Sequence, residues 1–286
     1  MYESHFGLTA APFENTPNPQ FFYASKCHRE ALATLLYGIE QAKGFMLVTG
    51  EVGTGKTMLV RSLDQQLDDS YILVEVASPW ITAKEFYREL PRKLGIEVDE
   101  EWSEIELQVH IRDFLLEQHK EGRRVIVIID EAQQLSEHTL EGIRLLSNME
   151  SETSKLIQLI LLGQTELAEI LGRHSMRPLR QRIALSRELK SLSREDAALY
   201  IRHRLEVAGG SSDSFAFSDA GLDMVCQYSR GVPRVINLIC DNALITAYAA
   251  GASQVSVAIV EEVVNELPIS ITSTFSAIKA AKESLE

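Results

Sequence analysis

The sequence predicts an α/β fold, a parallel five-stranded sheet with flanking helices, followed by a small all-helical domain. Three observations predict it. Apolar runs of strand length alternate with stretches of helical periodicity up to about residue 189, the pattern of a sheet covered on both faces. One of those runs leads straight into Gly50-Glu51-Val52-Gly53-Thr54-Gly55-Lys56-Thr57, a glycine-rich turn closing on Lys-Thr. Past Leu189 the strand-like runs stop and only helical periodicity remains.

Residues 1–24 hold Pro12, Pro17 and Pro19 among Phe6, Phe13, Phe21, Phe22 and Tyr23, and read as a loop-like lead-in whose aromatics pack on the domain. From Ser25 to about Gln41, Ala31, Leu32, Leu35, Leu36 and Ile39 recur at helical spacing. Phe45 to Thr49 reads as a short buried strand, and Met58, Leu59, Val60, Leu63 and Leu67 mark the helix behind the glycine-rich turn. Tyr71 to Val76 is the second strand, and Pro79 breaks the pattern after it. Helices over about 82–94 and 103–120 flank the segment Glu97 to Glu106, whose six acidic residues in ten read as a solvated face.

Val125 to Ile129 and Gln158 to Leu162 are apolar enough to be fully buried strands. Between them Leu140, Ile143, Leu145, Leu146 and Met149 predict an amphipathic helix over about 136–149, and Ile183-Ala184-Leu185 starts a fifth strand. Residues 193–207, 218–229, 234–250 and 256–267 read as helices, with Ser193, Ser218 and Ser256 as N-caps. The expected division is a lead-in over 1–24, an α/β domain over 25–189, a helical domain over 190–267, and a tail over 268–286 that is either disordered or an extra helix.

Composition narrows the function. With 286 residues, 45% of them hydrophobic, the chain can bury a sizeable core. A formal net charge of -13 argues against an extended nucleic-acid footprint. Cys27, Cys226 and Cys240 are far apart and form no C-x-x-C pair, so they read as reduced core thiols rather than a zinc site or a disulfide framework. No apolar run approaches the roughly 18 residues that span a bilayer, and Leu156 to Leu162 is interrupted by Gln158. Met1-Tyr2-Glu3-Ser4-His5 has no basic region followed by an apolar core, so the expectation is a soluble, cytoplasmic protein without a secretory signal.

The pattern G-x-x-x-x-G-K-[ST] arises by chance on the order of once in a hundred chains of this length, and here it also has the strand before and the helix after that a phosphate loop needs. Glycines let successive backbone N–H groups turn inward around a phosphate, and the following helix adds the positive end of its dipole. Lys56 is expected to reach the β- and γ-phosphate oxygens and Thr57 to ligate Mg²⁺. Gly50, Glu51, Val52, Gly53, Thr54, Gly55, Lys56, Thr57 and Met58 are thus the expected nucleotide-binding run.

Asp130-Glu131 directly follows an apolar strand, so both carboxylates fall where open α/β sheets place ligands. Asp130 suits Mg²⁺ or its water shell, and Glu131 suits the polarisation of an attacking water; the alternative is an acidic pair capping a helix. Gln164 ends the next strand and is expected to orient water, unless Gln164-Thr165 is a simple turn with Thr165 as cap. Arg173, Arg177, Arg180 and Arg182 cluster ahead of the fifth strand, and Arg230-Gly231-Val232-Pro233-Arg234 opens a helix of the second domain.

The order of GEVGTGKT, DEAQ, GQTEL, LRQRI and GVPR resembles the P-loop NTPases of the AAA+ ATPase family. More narrowly, Met1-Tyr2-Glu3-Ser4-His5-Phe6-Gly7-Leu8, Pro12-Phe13, His28-Arg29-Glu30-Ala31-Leu32 and the run from Gly231 to Asn237 are similar to the general secretion pathway protein A (ExeA) type, over residues 1 to about 267. The resemblance implies a helical lid, Mg-ATP as cofactor, Gln164 as sensor 1, Arg234 as sensor 2, and Arg182, with Arg180 second, as an arginine finger offered to a neighbouring subunit; the alternative for both arginines is plain surface cations. Gln164 departs from the Asn or Thr more frequent at sensor 1. Secretion-pathway members continue into a transmembrane helix and a peptidoglycan-binding region, neither of which is in this sequence, so the resemblance implies a truncated cytoplasmic portion or one of the shorter relatives of type IV pilus biogenesis and exosortase or exopolysaccharide loci. Its implied partners are further copies of itself in a ring or arc, and envelope secretion, pilus or polysaccharide-export proteins at the periphery of the inner membrane. The runner-up is a DNA-associated AAA+ protein of the transposition target-selection or initiator kind, which should carry a basic stripe; a small-molecule kinase has little need of an Arg234-bearing lid.

Overall fold

Strands that are apolar at every position need cover on both faces, and the arrangement of the elements supplies it. A computed structural model describes residues 1–76, 82–150, 155–210 and 216–267. In chain order the elements are α1 (Tyr2–His5), α2 (Lys26–Glu40), β1 (Phe45–Gly50), α3 (Lys56–Asp64), β2 (Tyr71–Val76), α4 (Ala83–Lys93) and α5 (Glu104–Lys120). They continue as β3 (Arg124–Ile129), α6 (Glu137–Leu146), β4 (Ile157–Gly163), α7 (Thr165–Gly172), α8 (Arg177–Arg180), β5 (Ile183–Leu189), α9 (Arg194–Val207), α10 (Asp219–Ser229), α11 (Pro233–Ala249) and α12 (Val257–Glu266). Pro79 and the tail over 268–286 lie outside the described residues.

The chain divides into two compact units, and the division does not follow chain order. Lys26–Val52 and Leu59–Leu189 form the sheet unit, while Met1–Ser25, Gly53–Met58 and the described residues from Lys190 onward form the helical unit.

In the sheet unit five parallel strands stand in the order β2-β3-β4-β1-β5. Successive residues of the three central strands point into two separate cores. Phe45, Leu47, Val125, Val127, Ile129, Ile157, Leu159 and Leu161 meet the side chains of α4 to α8 on one face. Met46, Val48, Ile126, Ile128, Ile160 and Leu162 meet Ala31, Leu35 and Ile39 of α2 and Leu59, Val60 and Leu63 of α3 on the other. Gln158, the polar residue inside the β4 run, is buried because its Nε2 donates to the carbonyls of Gly38 and Lys43, at 3.1 Å each, where α2 ends.

Three boundaries differ from the sequence reading. Helix α6 stops at Leu146, where Ser147 caps it, and Glu150 pairs with Lys155 in an isolated bridge, so Met149 is outside the helix. β5 runs on to Leu189; it is an edge strand with exposed Ser186, Arg187 and Glu188, and its polarity hid its length. The lead-in is not all loop, since Tyr2–His5 make one helical turn and Pro19–Phe21 a 3-10 turn, both too short to leave a periodic signal. The acidic segment is largely exposed, yet Glu100 takes ion pairs from Arg88 and Arg92 and Glu106 closes a capping box with Ser103 on α5. Cys226 and Cys240 are buried, whereas Cys27 is half-buried and donates to the Glu188 carbonyl.

In the helical unit Ser193, Ser218 and Ser256 cap α9, α10 and α12, each accepting a backbone N–H three residues on. The four helices enclose one core with Ile201, Leu205, Leu222, Val225, Ile236, Cys240 and Val260, and the lead-in adds Tyr2, Phe6, Phe13 and Phe21 to it. A buried cation must find acceptors, and Arg204 takes them from the lead-in. It donates to the carbonyls of Pro12 and Glu14 and to the Tyr200 hydroxyl, and its guanidinium lies over the Phe21 ring. Tyr2 donates in turn to Asp241 at 2.7 Å.

Candidate active site

β1 runs into the glycine-rich loop, and α3 begins at Lys56. Gly53 and Gly55 have φ of +82° and +98°, conformations that L side chains rarely adopt. Thr54 and Lys56 are buried, while Glu51, Val52 and Thr57 are exposed and Met58 is half-buried. The first N–H groups of α3 lack partners within their own helix, which makes this end receptive to an anion. Backbone donors, a lysine and a helical threonine together form the donor set that a nucleoside triphosphate with Mg²⁺ requires, and the residues fit it.

Arg234 meets the same loop within the helical unit. Its N–H donates to the Gly53 carbonyl at 3.4 Å, and a Cβ on Gly53 would stand 2.6 Å from the Arg234 Cβ. The turn before α11 sets this approach. Arg230 adopts φ +50° and Gly231 φ +73°, Leu192 N–H donates to the Gly231 carbonyl at 2.8 Å, and Pro233 opens the helix. A Cβ at Gly231 would fall 1.9 Å from the Leu192 carbonyl oxygen, so only glycine fits.

The carboxylates lie in the sheet unit. Asp130 N–H donates to the Val76 carbonyl at 3.2 Å, which extends the β2–β3 ladder by one residue, and Asp130 Oδ1 accepts the Glu131 N–H at 2.8 Å. Glu131 has φ +52° and ψ +35°, a strained left-handed conformation. Its Oε2 accepts Gln133 Nε2 at 2.6 Å and Gln164 Nε2 at 3.3 Å, and Gln164 N–H donates to Gln133 Oε1 at 3.0 Å. Neither Glu131 nor Gln164 makes a side-chain cap bond; Ser136 caps α6, and Thr165 is already inside α7. Asp130, Glu131 and Gln164 are therefore brought together, along with two residues to which the sequence reading gave no role. Gln133 sits inside the DEAQ motif, which was the signal that could have found it. Glu75, half-buried on β2, has its carboxyl pushed above the usual range by burial first and by the Asp130 charge second.

The arginine cluster lies elsewhere in the sheet unit. Ile183 pairs with Phe45 at the amino end of β1, so Arg182 precedes β5 at the edge opposite the carboxyl ends, about 17 Å away along the strand. Arg182 donates to Ser147 Oγ at 2.8 Å, Arg180 to the Gly172 carbonyl at 3.0 Å, and Arg173 pairs with Glu137 at 2.8 Å. Arg182 also bears on Lys155, whose ammonium is held below the usual lysine range by burial first and by that charge second.

Residues 39–171 match an AAA domain family. Over 255 residues, 89% of this chain, the sequence is 41% identical to general secretion pathway protein A of Aeromonas hydrophila. The chain belongs to the AAA+ proteins of the general secretion pathway protein A type. This AAA+ chain spans 46% of that relative's length. Its fold is shared with the ORC2 protein of Aeropyrum pernix (TM-score 0.67, 16% identity, 89% of this chain and 71% of that one). It is shared also with Cdc6p of Pyrobaculum aerophilum (0.67, 17%, 88% and 71%) and the RuvB Holliday junction branch migration motor of Thermotoga maritima (0.56, 16%, 83% and 67%). These AAA+ neighbours agree with the parallel five-stranded sheet and the helical region after it. Among the described residues no helix is long and apolar enough to cross a membrane.

The turn ahead of α11 gives a direct test. Gly231→Ala adds both a positive-φ penalty and a backbone clash, and is expected to cost about 2–4 kcal/mol in the unfolding of the helical unit by urea. A loss below about 1 kcal/mol would mean that the Leu192 backbone yields and the turn is not tightly held.

Proposed function

We propose that the chain binds Mg-ATP, hydrolyses it to ADP and phosphate, and uses the cycle to drive or regulate assembly of a bacterial envelope machine through protein partners. The observation that carries the reading is the Glu131 carboxylate, held by two amide donors beside Asp130 at the carboxyl end of a central strand, in a chain whose β1 ends in a phosphate loop. Lys56 and the loop N–H groups bind the triphosphate, and the helical Thr57 with Asp130 holds Mg²⁺, which supplies charge neutralisation at the phosphate oxygens. Glu131 takes a proton from the attacking water, and Gln164 helps orient that water. Arg234, whose helix starts against Gly53, senses the nucleotide bound in its own loop.

Similarity to general secretion pathway protein A supports an envelope machine, whether for secretion, type IV pilus assembly or exopolysaccharide export. Protein partners then bring the chain to the periphery of the inner membrane. The likeness to the Drosophila ORC bound to DNA and to the RuvB branch migration motor stands at 16–17% identity and carries the fold alone, and the net charge of -13 does not favour a DNA partner. Arg182, at the far end of β5, acts on the nucleotide of a neighbouring copy in a ring or arc.

Glu131→Gln is expected to leave ATP binding intact and to lower steady-state turnover at least ~100-fold, the lower range for a lost general base; unchanged turnover moves the base elsewhere. A second assay addresses Arg182. Arg182→Ala keeps its phosphate loop and Lys56→Ala keeps its finger, so mixing the two inactive proteins should recover partial ATPase activity. An inactive mixture of demonstrably co-assembled proteins would contradict action across an interface.

A further inference from the structure

We propose that Gln133 is a positioning residue for Glu131, fixing the carboxylate by one oxygen and tying it to the end of β4. This rests on the reading of Glu131 as general base. The Gln133 amide spans two partners at once: Nε2 donates to Glu131 Oε2 at 2.6 Å, and Oε1 accepts the Gln164 N–H at 3.0 Å. The second bond settles the first, because a carbonyl facing a backbone N–H leaves the NH₂ group turned to the carboxylate, and the flipped amide would oppose like partners at both ends.

Glycine at the end of β4 leaves room for this amide. A Cβ on Gly163 would stand 2.7 Å from Leu167 Cδ2 and 2.8 Å from Gln133 Oε1, so a larger residue there would crowd both side chains. Gln133 itself stands in a 3-10 turn, Ala132–Gln134, anchored by fully buried Ala132. Glu131, at φ +52°, sits in a conformation that its neighbours must impose. Both donors, Gln133 and Gln164, reach the same oxygen. Among the described residues Glu131 Oε1 takes no hydrogen bond, and it is the oxygen left to accept a proton from water. Gln133 does not touch the reacting atoms. It sets the rotation of the carboxylate and makes the base follow any movement of the Gln164 backbone at the sensor strand. The base of one strand and the sensor of the next thus share one amide.

The test uses steady-state ATPase kinetics on the full chain. Gln133→Met keeps the length of the side chain and removes both bonds. It is expected to lower kcat about 10- to 100-fold, the scale of a catalytic group displaced by about an ångström, with KM for ATP and the thermal midpoint unchanged. In the Glu131→Gln background the same change should cost nothing more, because residues acting through one another are not additive. A kcat that stays level or rises, or an equal fold-loss in both backgrounds, overturns the inference. Should Gln133→Met not fold, Gln133→Asn keeps the amide but is one methylene too short to span both partners, and the same readouts apply. Wild-type turnover in Glu131→Gln alone would instead remove the base assignment, and this inference with it; a slow Glu131→Gln beside a normal Gln133→Met removes only the positioning role.

Discussion

The parallel register of β1, β4 and β3 is the constraint on which the candidate chemistry depends. Thr49 stands opposite Gly163 and Ile129 opposite Leu161, so the three strands end at nearly the same level. That level is where Gly50 enters the loop, where Asp130 and Glu131 leave β3, and where Gln164 leaves β4. A slip of one residue in any strand would exchange its two apolar faces and carry its terminal polar residue out of the group. What prevents the slip is burial on both faces. Each of these side chains contributes roughly 1.5–3 kcal/mol on leaving water, and Gln158 adds a polar pin at the other end of β4 through its bonds to Gly38 and Lys43.

A second, independent constraint acts in the helical unit. There the backbone of Leu192 occupies the space that a side chain at residue 231 would need, and the Arg234 Cβ lies close enough to Gly53 to exclude a side chain there. Glycine at both positions converts a conformational liability into a close approach: Gly53 shapes the loop at φ +82° and also admits the start of α11. The N-terminal segment joins the same core through Phe13 and Phe21, with Arg204 bonded to its carbonyls.

The sequence was most legible where burial is two-sided and caps are local. The β1, β3 and β4 runs are apolar at nearly every position, and Ser193, Ser218 and Ser256 cap the helices they precede. It was least legible where the deciding partner is distant or the element is short. Nothing near Phe13 marks its place among residues some two hundred positions on, and Ser186, Arg187 and Glu188 lack the apolar pattern because β5 is an edge. In the site, the positions of Asp130, Glu131 and Gln164 just past β3 and β4 could be read from the apolar runs that precede them. Gln133 could not, because its role comes from the backbone of another strand and from the space left by Gly163. The similarity to a secretion-pathway relative covers 46% of that protein.

The central claim is that the loop from Gly50 to Thr57 is built to hold a triphosphate. Titration calorimetry of ATP with Mg²⁺ into the wild type and into Lys56→Ala tests it most directly. The account predicts saturable one-site binding to the wild type, and affinity at least about tenfold weaker for Lys56→Ala, the loss of one hydrogen bond to a charged group. Equal affinity for both proteins, or no binding to the wild type, would contradict it.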